Sequence, residues 1–412
     1  MKTIKIKINL FAFTVITAVA LLACGGGSGG YTEFDVWKGN IEEILPNGLE
    51  YKVNSAAQLA WLAEKISYST NESYKLTSNI DLDGRPWKPI GDQTSPFKGT
   101  FDGSGFTIKG LEVPNNEKFA GLFGYIGGGE EETEITEKQA VIENLKIELV
   151  NNSHHSAIAE AWGSGTLAGG VENAILKNIF VSGDDLNVTS GSGEILSAGG
   201  IAGALLSTDI INSASTINVT AVSAYETAYV GGITGLNNGK IISCYTTGNI
   251  TAISTLDEKE ALAGGLVGNN NGTIVSSYAS GNVIAESALF DAYAGGIAGY
   301  VGSYSSIERN AALNKTVEAS VGITKYAGGI TSNNDGVFDN NIVVNDMQIT
   351  PMPDFDKPNN GTLVNFNDLT ETEYTGSGHI VVKNGEITGG LNWNPNEWDF
   401  SGKYPILSIH LQ

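Results

Sequence analysis

The stretch Ala261–Ser287, ALAGGLVGNNNGTIVSSYASGNVIAES, nearly repeats the stretch Ala228–Ser254, AYVGGITGLNNGKIISCYTTGNITAIS. Both hold Gly, small polar residues and single aliphatic residues at the same offsets. A marker phrase, Ala or Val followed by Gly-Gly and an aliphatic residue, recurs at intervals of 30, 32, 33, 31 and 33 residues. Its first residues are Ala168, Ala198, Val230, Ala263, Ala294 and Ala327. A fixed period of this length is typical of solenoid and propeller folds.

Further aliphatic positions keep the register of the marker phrase. They form four columns: Ile201, Ile233, Leu266, Ile297 and Ile330; Ile210, Ile241, Ile274 and Ile307; Val219, Ile250, Val283 and Val317; Ala221, Ala252, Ala285 and Ala319. Members of the third and fourth columns are two residues apart, which places both on one face of a strand. The runs are short and rich in Ile, Val and Thr, so the pattern excludes helical repeats.

The length of the repeat selects one β fold. A propeller blade needs about 40 residues or more, whereas thirty-odd residues with three short strands suit one rung of a parallel β-helix. Each strand would pair with its counterpart one rung on, at about 4.8 Å. The sequence therefore predicts an all-β protein, a parallel β-helix solenoid of about seven rungs. We expect the repeated Gly residues to relieve tight corners with positive φ.

A short helix is predicted to cap the N-terminal end. Asn54 or Ser55 can cap a helix that runs through Leu59, Leu62 and Ile66, whose spacing places apolar side chains on one face. Such a helix would cover core residues and strand edges that the first rung leaves exposed.

The repeat stops after Asp346, and residues 347–412 follow a different pattern. MQITPMPDFDKPNNG breaks regular structure, and later strand-like stretches hold Trp393 and Trp398. These features predict a C-terminal β cap rather than a separate binding domain.

The chain begins MKTIKIKINLFAFTVITAVALLAC, a basic segment followed by an apolar one. This order predicts a signal peptide over residues 1–23. The sequence before Cys24 resembles the lipobox of bacterial lipoproteins, which implies lipidation of Cys24; plain secretion is the alternative. Residues 24–49 are then the lipidated Cys and a flexible linker, which contains GGGSGG. Because no Asp follows Cys24, the resemblance implies a bacterial outer-membrane, surface-exposed location.

The phrase AGGLVGNNNGTIVSSYASGNV resembles the GLUG motif, which is found in tandem in bacterial surface proteins, including adhesin-like proteins and some immunoglobulin A peptidases. Upstream, YKVNSAAQLAWLAEKI and YKLTSNIDLDGRPWKPIGDQTSPFKGTFDGSGFTIKGLEV resemble the leader that commonly precedes these repeats. The resemblance implies an N-terminal cap and leader at residues 50–115 and GLUG-type repeats at 116–346. It also implies a right-handed β-helix and a surface role, with no common catalytic residues.

Composition and motifs argue against several kinds of chemistry. Acidic residues outnumber basic ones 45 to 23, for a formal net charge of −22, which disfavours nucleic acid as a partner. None of the 4 His lies in a metallopeptidase motif, and His154-His155 is predicted to be a surface pair. We predict no cofactor, no metal and no catalytic residue.

Two smaller features leave narrower expectations. Asp81-Leu82-Asp83-Gly84 is similar to part of a calcium loop, but the complete loop is missing, so turn support is favoured and Ca²⁺ binding stays open. Cys244 aligns with Ser277 of the next repeat and is predicted to be a small residue that faces the core.

Together these observations predict a lipid-anchored, adhesin-like surface protein that binds a host or glycan ligand non-covalently and is not an enzyme. Its expected partners are an extracellular protein or glycan and, through the lipid anchor, a membrane; a monomer is expected. One alternative is a polysaccharide-processing enzyme or glycan-capture protein on the same scaffold, although Arg85 and Arg309 are the only Arg residues. A structural surface component is a further alternative.

Overall fold

The computed structural model describes residues 39–408 except 66, 70, 114–116, 128–138, 151–162, 191–194, 257, 334, 354–359, 384–385 and 403. The predicted signal peptide at residues 1–23, the predicted lipidation site Cys24 and the linker through residue 38 lie outside the described residues. So do His154, His155, His410 and the acidic run GEEETEITEK at residues 129–138.

The described residues form 39 short strands and two α-helices. Helix α1 is Ala56–Ala63 and helix α2 is Glu371–Thr375, with a 3₁₀ turn at Phe366–Asp368. The first strands are β1 (Glu50–Val53), β2 (Ser73–Leu76), β3 (Ile80–Asp81), β4 (Thr100–Asp102), β5 (Thr107–Leu111), β6 (Phe119–Ala120), β7 (Phe123–Gly127), β8 (Ala140–Leu149), β9 (Gly163–Gly165), β10 (Ala168–Glu172), β11 (Ala174–Gly183), β12 (Leu186–Ser190) and β13 (Leu196–Gly199).

The strands of the regular repeats follow in the same order. They are β14 (Ala202–Ile211), β15 (Ala214–Ser215), β16 (Val219–Ser223), β17 (Ala228–Gly231), β18 (Thr234–Ile242), β19 (Tyr245–Thr246), β20 (Ile250–Ser254), β21 (Ala261–Gly264), β22 (Val267–Asn270), β23 (Thr273–Val275), β24 (Tyr278–Ala279), β25 (Val283–Ser287), β26 (Asp291–Gly295) and β27 (Ala298–Val301). The last are β28 (Ser306–Glu308), β29 (Ala311–Ala312), β30 (Thr316–Ser320), β31 (Thr324–Gly328), β32 (Val337–Asp339), β33 (Ile342–Val344), β34 (Gln348–Thr350), β35 (Thr362–Val364), β36 (Val381–Lys383), β37 (Glu386–Thr388), β38 (Trp398–Asp399) and β39 (Ile406–Leu407).

Three parallel sheets form the walls of a solenoid. One sheet has 22 strands, a second has seven (β6, β9, β13, β17, β21, β26 and β31) and a third has six (β12, β16, β20, β25, β30 and β34). Within the second and third sheets each strand pairs with its counterpart one repeat away. This arrangement confirms the predicted all-β parallel solenoid and is close to the predicted number of about seven rungs.

The predicted aliphatic columns lie one above another in the core. Ile210 pairs in register with Ile241, Ile241 with Ile274, and Ile274 with Ile307. All four side chains are fully buried. The other predicted columns are also buried, and the Val/Ile–Ala pairs occupy alternate positions of the six-stranded sheet. Stacking therefore gives each rung an apolar surface that only its neighbours can cover.

A polar column runs beside the aliphatic ones. It consists of Ser213, Cys244, Ser277, Asn310 and Asn341, all buried. The backbone N–H of Cys244 donates to Ser277 Oγ at 3.0 Å, and that of Ser277 donates to Asn310 Oδ1 at 2.9 Å. Small side chains here satisfy backbone groups at a corner where the strand ladder is interrupted. The prediction that Cys244 is a small core-facing residue is confirmed.

The expected reason for the repeated Gly residues is wrong. Positive φ at the corners falls largely on other residues, including Asn144, Asn178 and Asn212, which tolerate that region better than most side chains. The marker Gly residues instead lie where backbone approaches backbone. A Cβ on Gly264 would lie 1.9 Å from the carbonyl oxygen of Val267, and one on Gly231 would lie 2.2 Å from another main-chain oxygen.

The N-terminal helix is present, and Ser55 is its cap. The Ser55 side chain accepts a hydrogen bond from the backbone N–H of Gln58, as expected for an N-cap. Leu59 and Leu62 are fully buried. Helix α1 ends at Ala63, and Ile66, the last residue predicted for the helix, lies outside the described residues. The helix follows closely on β1, which pairs with β2.

The predicted C-terminal β cap is present and packs against the outer side of the solenoid. Strand β35 pairs with β33, and β36–β37 and β38–β39 form two short antiparallel pairs. Trp393 and Trp398 are buried against Tyr245 and Tyr278, which point outward from successive rungs. Tyr278 Oη donates a hydrogen bond of 2.7 Å to the carbonyl oxygen of Pro405.

Among the helices in the described part of the chain, none has the length and apolar character needed to span a membrane.

Candidate ligand-binding site

The outer face of the seven-stranded sheet carries a column of large side chains. Tyr229, Leu262, Tyr293 and Tyr326 pair in register on β17, β21, β26 and β31. Because Ala292 and Ala294 on either side are fully buried, Tyr293 faces outward. Tyr326 ends the column and is 41% exposed.

A second column borders this one across the turn made by the marker glycines. It consists of Leu236, Asn269 and Tyr300 on β18, β22 and β27. The Tyr293 and Tyr300 rings meet edge to face, with centroids 5.6 Å apart and planes at 82°. Tyr293 also stacks on Tyr326 at 5.0 Å with planes at 8°. We name Tyr229, Tyr293, Tyr300 and Tyr326 the tyrosine cluster.

Three carboxylates lie next to the tyrosine cluster. Tyr293 Oη donates to Asp291 Oδ2 and Tyr300 Oη donates to Asp335 Oδ2, both at 3.2 Å. Glu260 precedes Ala261, which pairs in register with Ala292, so Glu260 lies beside Asp291 on the neighbouring strand.

Burial and nearby carboxylates raise the pKa of several side chains in this region. Burial, and then the nearby Asp291, raises the pKa of Glu260. Burial, together with the carboxylates of Glu260 and Asp291, raises the pKa of Tyr293. Burial raises the pKa of Tyr300 as well, helped by Asp335 and Glu260. Glu260 therefore acts electrostatically on both columns. Tyr293 and Tyr300, whose pKa values are raised, are neutral hydrogen-bond donors at physiological pH.

Asp81, part of the possible calcium loop, has partners within the protein. Asp81 Oδ2 forms a salt bridge with Lys109 Nζ at 2.9 Å, and Asp81 Oδ1 accepts the backbone N–H of Asp83 at 2.9 Å. Both contacts support the favoured interpretation of a turn. In residues 39–408, apart from the gaps given above, no group of three or more His, Cys, Asp or Glu side chains is placed to hold a metal ion.

The remaining singled-out residues do not converge on one site. Arg85 pairs with Asp83 at 3.4 Å and Arg309 with Glu308 at 3.5 Å, both local contacts. Cys244 is fully buried, and burial raises the pKa of its thiol to about 12, so the reactive thiolate is suppressed. The loop at residues 128–138 lies outside the described residues.

The sequence contains a signal for the tyrosine cluster next to each marker phrase. The residue just before the marker phrase is Tyr, Leu, Tyr and Tyr in AYVGG, ALAGG, AYAGG and KYAGG. Two residues further upstream, Glu260 and Asp291 stand at equivalent positions. Tyr300 could not be linked to them, because its approach depends on the turn of the chain after Gly295-Gly296.

Comparison with known proteins shows similarity at the level of fold. No family model matches the chain. A crystal structure from Bacteroides ovatus, described as a putative immunoglobulin A1 protease, superimposes with a TM-score of 0.53 at 18% sequence identity, over 88% of this chain and 94% of that one. A curated protein of Evansella cellulosilytica, named "Putative Gly-rich membrane protein", is 33% identical over 82 residues, which are 19% of this chain and 10% of that protein.

Proposed function

We propose that this protein is a lipid-anchored, adhesin-like protein of the bacterial surface that binds an extracellular ligand non-covalently at the tyrosine cluster. The anchor rests on the sequence around Cys24, and the surface role rests on the resemblance of the repeats to GLUG proteins. The membrane-related name of the Evansella protein agrees with this location. The outer-membrane side is favoured because no Asp follows Cys24.

One observation carries the binding role: the tyrosine cluster is aromatic, outward-facing and bordered by carboxylates. Tyr326 is 41% exposed, and Tyr293 and Tyr300 present hydroxyl groups beside Asp291 and Asp335. Tyr is enriched in recognition surfaces, since it combines a large rigid apolar area with a hydrogen-bonding tip. Parallel sheets hold these side chains on a rigid frame, which lowers the ordering cost of binding.

Binding to arrays of host-matrix proteins and glycans tests this function. The full-length protein in detergent is compared with Tyr293→Ala and with a control, Thr251→Ala, on the outer face of the six-stranded sheet. We expect Tyr293→Ala to abolish a signal that Thr251→Ala retains. A signal unaffected by Tyr293→Ala would remove the tyrosine cluster from the proposal.

Turnover assays address the enzymatic alternatives. The same full-length protein is incubated with immunoglobulin A1 and with a panel of polysaccharides. We expect binding without cleavage. Cleavage of any of these substrates at a catalytic rate would contradict a purely non-covalent role.

Palmitate labelling addresses the anchor. Cells that express the full chain are expected to incorporate labelled palmitate into the protein, and Cys24→Ala is expected to abolish the label. Persistent labelling of Cys24→Ala would contradict the anchor.

A further inference from the structure

Hydrogen-bond acceptors that carry negative charge lie next to the tyrosine cluster. Asp291 and Asp335 accept from tyrosine hydroxyls, and each carboxylate keeps further acceptor capacity. Within the described residues, no salt bridge reaches Glu260, Asp291 or Asp335; the nearby Lys259 is paired with Glu226 at 2.6 Å.

The buried edge of the cluster adds another acceptor. Burial raises the pKa of Tyr229, whereas a hydrogen bond from Asn269 lowers it. The Asn269 Oδ1 atom is inaccessible to solvent and has no hydrogen-bond partner among the described residues. A buried acceptor without a donor costs free energy, and its partial negative charge adds to that of the carboxylates beside the cluster.

The proximity of the Glu260 and Asp291 carboxylates destabilises the folded protein. Like charges at neighbouring positions of paired strands are destabilising, and partial burial of Glu260 increases the cost. Local violations of this kind are expected at functional sites. A positively charged partner would relieve the repulsion.

Ring geometry disfavours a sugar stacked along the column. The rings of Tyr293 and Tyr326 are nearly parallel and stack on each other, so each ring covers one face of the other. The parts that remain accessible are ring edges, hydroxyl groups and the end of the column at Tyr326. Those parts suit an elongated ligand with N–H donors and a cation at its tip.

We infer that the tyrosine cluster binds a basic peptide segment, with the ammonium or guanidinium group of a Lys or Arg side chain placed between Glu260 and Asp291. The inference rests on the proposed binding function and specifies its ligand class. The net charge of −22 would also favour the approach of a basic partner at low salt.

Fluorescence anisotropy with three labelled octapeptides tests the inference. The peptides are Gly/Ser chains with three Lys, with three Glu, or with no charged residue, and unlabelled maltohexaose is added as a neutral competitor. The full-length protein is compared with Glu260→Gln/Asp291→Asn. The control, Asp83→Asn/Glu148→Gln, changes the net charge equally at exposed positions away from the cluster.

We expect only the Lys peptide to bind, and we expect Glu260→Gln/Asp291→Asn to weaken its binding at least about tenfold. The control variant should remain within about twofold of the unmodified protein, because exposed charges act weakly. Raising the salt from about 0.05 to about 0.5 M should weaken binding further.

Other outcomes overturn the inference and separate it from the proposed function. Equal loss in the two double variants would show non-specific attraction to an acidic protein. Binding of the neutral peptide, or displacement by maltohexaose that depends on Tyr293, would overturn the basic ligand class while the binding function stands. If no peptide binds although the array signals depend on Tyr293, the ligand class is again wrong. If nothing binds in the anisotropy assay or on the arrays, both proposals fail.

Discussion

Glu260, the residue just before β21, lies beside Asp291 on the neighbouring parallel strand β26, and burial together with the Asp291 charge raises the pKa of the Glu260 carboxyl group above its ordinary value of 4.5. The groups that face Glu260 are Asp291 and the hydroxyls of Tyr229, Tyr293 and Tyr300. All of them are acidic or neutral. Glu260 is therefore protonated at a higher pH in the folded protein than in the unfolded chain.

The first prediction is that Glu260→Gln stabilises the protein at neutral pH. A carboxyl group with a raised folded-state pKa contributes stability below its unfolded pKa and loses it as the pH rises through the folded value. The variant should thus gain about 0.5 kcal/mol at pH 7 and nothing below pH about 4. Urea unfolding at the two pH values measures this. A gain of equal size at both would show that charge is not the cause.

The second prediction concerns the aliphatic column of the core. Ile274 is fully buried between Ile241 and Ile307, so Ile274→Ala removes contacts to the rungs on both sides. We expect a loss of about 2–5 kcal/mol in the free energy of unfolding. The matched control is Ile284→Ala on the outer face of the six-stranded sheet, which should cost much less. Equal losses would contradict the inward column.

The third prediction separates close approach from backbone conformation as the role of the marker glycines. Gly264→Ala would place Cβ 1.9 Å from a carbonyl oxygen, whereas Gly402→Ala meets no atom closer than 3.4 Å. We expect Gly264→Ala to reduce the free energy of unfolding by the overpacking cost of about 1–3 kcal/mol or more. The thermal midpoint of unfolding should fall sharply as a result. Gly402→Ala should leave the midpoint nearly unchanged. A neutral Gly264→Ala would refute the steric explanation.

The fourth prediction concerns Lys65, which follows the N-terminal helix. Its Nζ atom lies 5.2–5.9 Å from the centres of four aromatic rings and 2.9 Å from Glu72 Oε1. Lys65→Met keeps most of the packing but removes the charge. Glu72, at 15% exposure, then loses its positive partner and keeps the hydrogen bonds that Tyr74 and the Ser69 backbone donate to it. We expect a loss of about 1–3 kcal/mol.

Lys88→Met is the control for that measurement. Lys88 also forms a short salt bridge, 2.7 Å from Glu64, but both side chains are at least 40% exposed. Exposed pairs contribute about 0–1 kcal/mol, so the control should unfold close to the unmodified protein. If the two variants lose equal stability, the rings around Lys65 add nothing to its salt bridge.

Much of the fold was predictable because one period governs both packing and hydrogen bonding. The spacing of one rung predicts that Ile241, Ile274 and Ile307 stack. Ser55 has a side chain that is favoured at helix N-caps. The tyrosine cluster was harder to predict, because Leu262 interrupts the tyrosines of its column and Tyr300 comes from the other side of a turn. Contacts between adjacent walls depend on how sharply the chain turns, which the period does not specify.

The role of the glycines in the marker phrase was also beyond prediction from the sequence. Sequence shows that small residues recur at Gly231 and Gly264, but it does not distinguish a positive φ from a crowded backbone. Asn144 and Asn212 occupy the positive-φ corners instead. That distinction requires the positions of main-chain atoms in the next rung.

A structure of the full-length protein in complex with the three-Lys octapeptide tests the central claim most directly. We predict a Lys ammonium group within about 4 Å of both Glu260 and Asp291, the range of a salt bridge, with the peptide beside Tyr293 and Tyr300. A peptide seated on another face, with this cluster unchanged and uncovered, would contradict it.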